Sequence, residues 1–339
     1  MSQPPRQSTR LHLARAGFNR FLGREASDAG LPIIAQGPTW VLTPAADMEF
    51  CFAYLGMIDA AEFRGDSVNL AAKSLLDYFL KSCADEKFVN PWSLQFRADE
   101  TVAGLTRRAT AVERTFKDAL VKRLARVAKL ARPQVEPPIG RQRGLFVFWT
   151  NFYTMMVCRE AILGGQRRMA DDPGAPSRSY LKLEEAYGVL GREPQAGEKV
   201  VDLGAAPGGW SFSAAKHGAS VLALDNGPLK GAALDHPLIR HEQSDAFRYV
   251  PETDEPCDWL LCDVVDEPDK VLALLERWVT QRGCRRFVVN FKFGHTDPLP
   301  LLRQALSPKG VLGRSCVNLR ARHLFHDREE FTLVGELRA

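Results

Sequence analysis

The chain reads as an α/β protein. Its C-terminal half is predicted to form a mostly parallel sheet covered by helices and closed by an antiparallel hairpin, and an α+β region precedes it. Three observations carry this. The β-rich runs Lys199-Val-Val-Asp-Leu203, Ser220-Val-Leu-Ala-Leu224, Asp258-Trp-Leu-Leu-Cys262 and Arg286-Phe-Val-Val-Asn-Phe291 recur about every twenty to thirty residues, with helical stretches between them. That is the rhythm of βαβ units. The glycine-rich turn Gly204-Ala-Ala-Pro-Gly-Gly209 follows the first run, where a strand should hand over to a helix. Two β-like stretches, about 311–320 and 330–336, have no convincing helix between them and predict the hairpin.

A length of 339 residues allows two or three domains, each with its own core. Residues 1–10 read as a disordered polar tail. An N-terminal α+β region is expected over 1–90, with a helix in Asn69-Leu-Ala-Ala-Lys-Ser-Leu-Leu-Asp-Tyr-Phe-Leu80. A second module over 91–170 reads as strand Trp92–Phe96, a basic helix at about 110–131, a proline-rich turn and strand Gly144–Thr150. The helix repeats Phe116, Leu120, Leu124, Val127 and Leu130 at three-to-four spacing, one buried face. The run Ala170-Asp-Asp-Pro-Gly-Ala-Pro-Ser177 breaks regular structure and sets a boundary, so the α/β domain spans 175–339.

The net charge of +4 is modest but unevenly placed. Residues 107–143 hold eleven Lys or Arg against Glu113, Asp118 and Glu136. Such an excess suits either a solvated helix face or a phosphate-binding surface. Seven scattered cysteines without a Cys-x-x-Cys pair read as reduced thiols, not metal ligands. No run of 18 apolar residues is present and the N-terminus has no apolar core for a secretory signal, so a cytoplasmic address is expected. Nothing signals an extra interface, and a monomer is the default.

In the turn, Val200 and Val201 build a strand that Asp202-Leu-Gly204 leads out of the sheet. Gly204, Gly208 and Gly209 let backbone approach a ligand closely, and Pro207 sets φ. The following helix, from about Trp210, points its N-terminus into the crevice where open α/β sheets bind ligands. The spacing Gly-x-x-x-Gly-Gly departs from the Gly-x-Gly-x-x-Gly of pyrophosphate binders. Asp225 ends the second strand, where a carboxylate can accept both ribose hydroxyls of an adenosyl group. Asp245 follows the third segment, where it can take an adenine amine.

Lys182, Asp263, Lys292 and Glu330 stand at element ends of the same domain. A ribose hydroxyl is a poor nucleophile and needs positioning and a proton acceptor. A lysine can accept that proton only if a neighbour, such as a second ammonium, lowers its affinity for it, and carboxylates orient both amines. Lys292, between phenylalanines at a strand end, is the candidate base. Three features are discounted. His323 and His326 lack a third metal ligand, Glu184 and Glu185 read as solvated charge, and Trp210 suits packing as well as stacking.

Ser177-Arg-Ser-Tyr-Leu-Lys-Leu-Glu-Glu185, Val201-Asp-Leu-Gly-Ala-Ala-Pro-Gly-Gly-Trp210 and Asp327-Arg-Glu-Glu-Phe331 resemble the FtsJ-like ribose 2′-O-methyltransferases. Leu224-Asp-Asn-Gly-Pro228, Cys262-Asp263 and Asn290-Phe-Lys292 extend the resemblance over 175–335. Upstream the likeness is weaker and suggests a THUMP-like RNA-binding module. The resemblance implies a tetrad of Lys182, Asp263, Lys292 and Glu330, with Lys292 as proton acceptor. It implies S-adenosyl-L-methionine held by Ser179, Gly204, Ala206, Pro207, Gly208, Gly209, Trp210, Asp225, Asp245 and Asp263. It also implies RNA as partner, in particular a cytidine of large-subunit (23S) rRNA or its precursor, with neither DNA nor membrane. Ala206 in place of cysteine, and Phe293-Gly-His-Thr-Asp-Pro298 in place of a longer basic segment, depart from the family pattern. A methyltransferase of tRNA, a small-molecule methyltransferase, a dinucleotide oxidoreductase and a non-catalytic RNA-binding protein are the rival readings.

Overall fold

The computed structural model describes residues 8–250 and 255–338. Most of the expected polar tail, residues 1–7, lies outside the described residues, whereas Thr9 and Arg10 belong to the first strand. The chain divides into two compact units, 1–164 and 165–339. No described helix is long and apolar enough to cross a membrane.

The first unit runs β1 (Thr9–Leu13), α1 (Asn19–Asp28), β2 (Ala35–Gly37), β3 (Trp40–Pro44), β4 (Leu55–Ile58), β5 (Ala61–Arg64), α2 (Val68–Ser82), β6 (Trp92–Ala98), α3 (Leu105–Leu130), β7 (Ala131–Arg132), β8 (Ile139–Trp149) and β9 (Thr154–Gly164). Its strands form one sheet in the order β2-β3-β1-β4-β9-β8-β6-β7, with β5 also on β9. The expected division at 90/91 is therefore corrected: β4 and β5 pair with β9 across it. Both apolar clusters also draw on both sides, one joining Leu11 and Met57 to Phe146 and Phe148, the other joining Leu75 and Phe79 to Leu94 and Phe116. Neither half could bury its sheet face alone.

Helix α3 begins at Leu105, earlier than the pattern suggested, and buries Leu105, Ala109, Val112, Phe116 and Leu120. The predicted face extended further, through Leu124, Val127 and Leu130, but these are only half-buried. The helix breaks at Leu124 (φ −142°, ψ 64°), and beyond the break Val127 and Leu130 still pack against the edge of the core. Indole Nε1 of Trp92 donates to the Val127 carbonyl at 2.9 Å, satisfying one orphan acceptor of this helix end. Trp92 also stacks on Phe79, with ring centroids 5.0 Å apart.

The second unit runs α4 (Tyr180–Leu190), β10 (Lys199–Leu203), α5 (Gly209–Lys216), β11 (Ser220–Leu224), β12 (Ile239–Glu242), β13 (Cys257–Cys262), α6 (Pro268–Thr280), β14 (Cys284–Lys292), α7 (Leu299–Ala305), α8 (Val311–Ser315), β15 (Cys316–Arg322) and β16 (Glu330–Leu337). The sheet order is β12-β11-β10-β13-β14-β16-β15. The first five strands are parallel, and β16 runs antiparallel to both β14 and β15. Buried runs such as Trp259-Leu-Leu-Cys262 and Phe287-Val-Val-Asn-Phe291 reflect helices on both faces. The closing hairpin is present, although residues 311–315 form a short helix and not strand.

Candidate active site

Sheet topology assembles the four polar residues. β13 and β14 are parallel neighbours, so Asp263, just after β13, lies beside Lys292 at the end of β14. β16 starts at Glu330, directly opposite Lys292 in the antiparallel register. Lys182 comes from the first turn of α4.

The structure brings all four together. Lys182 Nζ lies 3.1 Å from Asp263 Oδ1 and 3.2 Å from Glu330 Oε2. Lys292 Nζ lies 2.7 Å from the same Asp263 oxygen. It also donates to the carbonyls of Asp263 (2.5 Å) and Val264 (3.2 Å). The amines of two lysines thus share one carboxylate oxygen. Burial alone would lower the Lys182 pKa, but the Asp263 and Glu330 carboxylates outweigh it and hold the pKa above its ordinary value. A cleft of about 570 Å³ opens onto Lys182, Lys292 and Glu330, with His326 on its wall and exposed Arg178 and Arg328 at its rim.

The glycine turn lies at the carboxyl ends of β10 and β11. Gly204 (φ +76°) and Gly208 (φ +108°) occupy left-handed conformations. A Cβ on Gly204 would fall 2.5 Å from a Val264 methyl, and one on Gly208 2.5 Å from Ala233 Cβ. Only glycine fits on both counts. Asp225 organises the turn: Oδ2 accepts from Ala206 N (3.0 Å) and Oδ1 from Gly227 N (2.7 Å). Its carboxylate is half-exposed, so lone pairs remain for a ligand diol. Asp245 Oδ1 accepts from Phe247 N (2.8 Å), an Asx-type turn that presents the residue at the same sheet edge. The Pro207 carbonyl accepts from Lys230 N (2.9 Å), which fixes the far side of the turn. Ser179 Oγ lies 2.7 Å from Ser177 Oγ, and both hydroxyls crowd against Gly209. The glycine cradle, with half-exposed carboxylates at neighbouring strand ends, fits an adenosyl ligand.

Trp210 requires a correction. The first turn of α5 points its ring into the core, where it is 2% exposed among Leu183, Ala186, Ala214 and Leu261. Its Nε1 donates to the Ser179 carbonyl at 2.9 Å, so the residue braces Ser179 and presents no face to a cofactor.

Glu185, expected as solvated charge, is fully buried. Its carboxylate accepts from Arg167 N (3.0 Å), Phe325 N (2.9 Å) and His326 N (3.3 Å). One turn of α4 thereby carries both Lys182 and the clamp on the segment leading to Glu330. The signal was available: α4 is apolar almost all round, the mark of a buried helix, so its charges needed partners. Asp327 was overlooked in the same way. It is buried and accepts from Leu324 N (2.9 Å) and Asn290 Nδ2 (3.2 Å). Burial, reinforced by the Glu330 carboxylate, pushes its carboxyl pKa well above the usual range.

Asp202 lies under the turn with no exposed surface. Oδ2 accepts from Ser211 Oγ at 2.6 Å, and Oδ1 has no hydrogen-bond partner among the described residues. Burial pushes its pKa up to about 7, with help from the Asp263 and Asp225 carboxylates and against the Ser211 hydrogen bond. Raising a carboxyl pKa on folding disfavours the folded state where the unfolded chain is ionised. The penalty is absent below pH 3.8, grows up to about pH 7 and is complete above it. About three pKa units correspond to about 4 kcal/mol. Asp202→Asn should therefore raise the melting temperature of the ligand-free protein at pH 8 and leave it unchanged near pH 4. Thermal scans at the two pH values check this, and an equal shift at both would remove ionisation as the cause.

Residues 175–275 match the model of the FtsJ-like methyltransferase family. Proteins named Ribosomal RNA large subunit methyltransferase M are similar over about half of the chain. The one from Halorhodospira halophila is 41% identical over 201 residues, 58% of this chain and 58% of that protein. Those from Laribacter hongkongensis (41% over 175 residues; 49% and 48%) and Marinomonas sp. (37% over 187 residues; 52% of each) are comparable. The chain spans about half the length of the curated relatives it matches. Among solved structures, TrmN from Thermus thermophilus aligns over 98% of this chain and 100% of that one, at 16% identity and a TM-score of 0.36, too loose a likeness to carry an argument.

Proposed function

We propose, with an FtsJ-like methyltransferase domain at residues 175–275 as the premise, that the chain is an S-adenosyl-L-methionine-dependent RNA ribose 2′-O-methyltransferase. We place its substrate in large-subunit (23S) rRNA, at a cytidine, as the names of its relatives suggest. A cytoplasmic address goes with that substrate. The observation that supports the chemistry best is the pair of lysines on one Asp263 oxygen, at the carboxyl edge of the sheet beside the glycine turn.

When bound, S-adenosyl-L-methionine supplies a methyl carbon on a positively charged sulfur. Asp225 would take the ribose diol, Asp245 the adenine edge, and the backbone at Gly204, Ala206, Pro207, Gly208 and Gly209 would lie along the ligand beside Ser179. Asp263 links this ligand to the lysines. The ribose hydroxyl enters the cleft between Lys182 and Lys292. Lys292, as the neutral amine, turns its lone pair to the hydroxyl proton while its two remaining N–H groups keep protein acceptors. Lys292 Nζ would accept the hydroxyl proton as the methyl carbon passes from sulfur, which keeps the bonding pair, to the hydroxyl oxygen. Lys182, fixed by Asp263 and Glu330, stays charged and stabilises the negative charge developing on the oxygen. Arg178 and Arg328 at the rim suit the flanking phosphates. The first unit, with the basic face of α3, would hold RNA as a THUMP-like module.

The test is transfer of tritiated methyl groups to rRNA that lacks the modification, followed by mapping of riboses resistant to alkaline cleavage. One protected cytidine in the large-subunit RNA is the expected result. Label in tRNA would reassign the substrate, and no label in any RNA or precursor particle would overturn the reading.

A further inference from the structure

A second cleft, of about 490 Å³, lies in the C-terminal unit at the opposite edge of the sheet from the lysines, lined by Val279, Arg282, Arg314, Ser315, Leu337 and Arg338. Arg282 precedes β14 and Lys292 ends it, so the strand's nine residues set the two clefts roughly 30 Å apart. All three arginines are exposed. Two of them are held by backbone carbonyls: Arg282 Nη2 donates to Arg338 O (2.8 Å), and Arg338 Nε to Arg314 O (3.1 Å). Among the described residues no carboxylate forms an ion pair with any of the three. The nearby acid, Glu336, is taken by Arg286 (3.3 Å) and Asn318 (2.6 Å).

Three arginines thus line one cleft with no carboxylate paired to them among the described residues. Other arginines of this unit, such as Arg285 and Arg286, have acidic partners. Arg282 lies just past the end of α6. Its backbone is left-handed (φ +54°), a conformation glycine adopts without cost and L side chains rarely do. That backbone closes the helix: Arg282 N donates to Val279 O (3.1 Å) and Gly283 N to Trp278 O (2.9 Å), a helix end that uses a left-handed residue at this place.

We propose that this cleft is a second phosphate-binding site, which grips the backbone of the RNA substrate about 30 Å from the reacting ribose. Guanidinium groups pair with phosphodiester oxygens through fixed, forked donors. The inference rests on the proposed RNA substrate. It adds an anchor that contributes to binding and not to the chemical step.

The experiment uses the full chain and a fluorescent large-subunit rRNA fragment, with affinity measured across a KCl series. Arg282→Glu with Arg314→Glu should weaken binding about tenfold or more and flatten the salt dependence by about 1.5 in slope, as loss of two phosphate contacts requires. Methyl transfer at saturating RNA should be unchanged, so the effect falls on KM and not on kcat. Arg282→Lys should keep the slope. Arg282→Gly should weaken RNA binding without lowering the melting temperature, because it relieves the backbone. Unchanged affinity and slope in the double variant would overturn the proposal. So would a lower melting temperature for Arg282→Gly, which would assign the residue to the fold. A wild-type protein that methylates no RNA would fail the functional reading separately, since binding and its salt slope are read without turnover.

Discussion

Replacing Lys292 by alanine should lower the rate of methyl transfer by about 10²–10⁴-fold, the range for loss of a positioned general base. Affinity for S-adenosyl-L-methionine should stay close to that of the wild type. The reasoning is geometric. Lys292 Nζ touches Asp263 Oδ1 and the carbonyls of Asp263 and Val264, and it faces the cleft, whereas the glycine turn is pinned separately by Asp225. Removing the amine leaves that turn intact but deprives the hydroxyl of its proton acceptor. Calorimetric titration of the ligand beside single-turnover kinetics separates the two effects. Retained turnover would take the base role from Lys292, and lost ligand binding would show that the residue shapes the cofactor site.

Lys182→Met should cost both stability and rate. The Lys182 side chain is 9% exposed and its partners Asp263 and Glu330 are 14% and 10% exposed. Breaking a buried ion pair by removing one partner costs about 3–5 kcal/mol, because the stranded charge remains. At that size the melting temperature should fall by roughly 10 °C. The pH dependence follows from the raised pKa of Lys182. A cation favoured by the fold contributes fully below its unfolded value of 10.5, and the contribution is lost as pH rises through the higher folded value. The stability gap between wild type and variant should thus be flat from about pH 7 to pH 10 and close only at stronger alkalinity. Denaturant titrations along that range measure it. A gap that closed near neutrality would place the interaction elsewhere.

Local chemistry carried much of the fold and site. β-rich runs of the right length predicted the parallel strands almost to the residue at 199–203 and 220–224, because strands buried on both faces must be apolar throughout. Glycines at 204 and 208 marked the turn because few other residues adopt that backbone. Lys182, Asp263, Lys292 and Glu330 were legible as polar residues at element ends, where a charge inside an apolar run needs a reason.

What stayed hidden depends on partners distant in sequence. The boundary drawn at residue 90 failed because β9 reaches back to β4 and β5, and strand pairing at that separation leaves no local mark. Trp210 looked like a cofactor contact because a tryptophan beside a glycine turn can face either way, and only the packing of α4 against α5 turned it inward. Glu185 looked like surface charge because the backbone N–H groups its carboxylate accepts from belong to other segments, Arg167 and Phe325. The sequence by itself determined which elements form and which charges stand at their ends, since propensity, turn chemistry and periodicity act over a few residues. Only the tertiary structure decided that Lys182 and Lys292 meet on one oxygen of Asp263, because that contact is set by the register of β16 on β14 and the docking of α4.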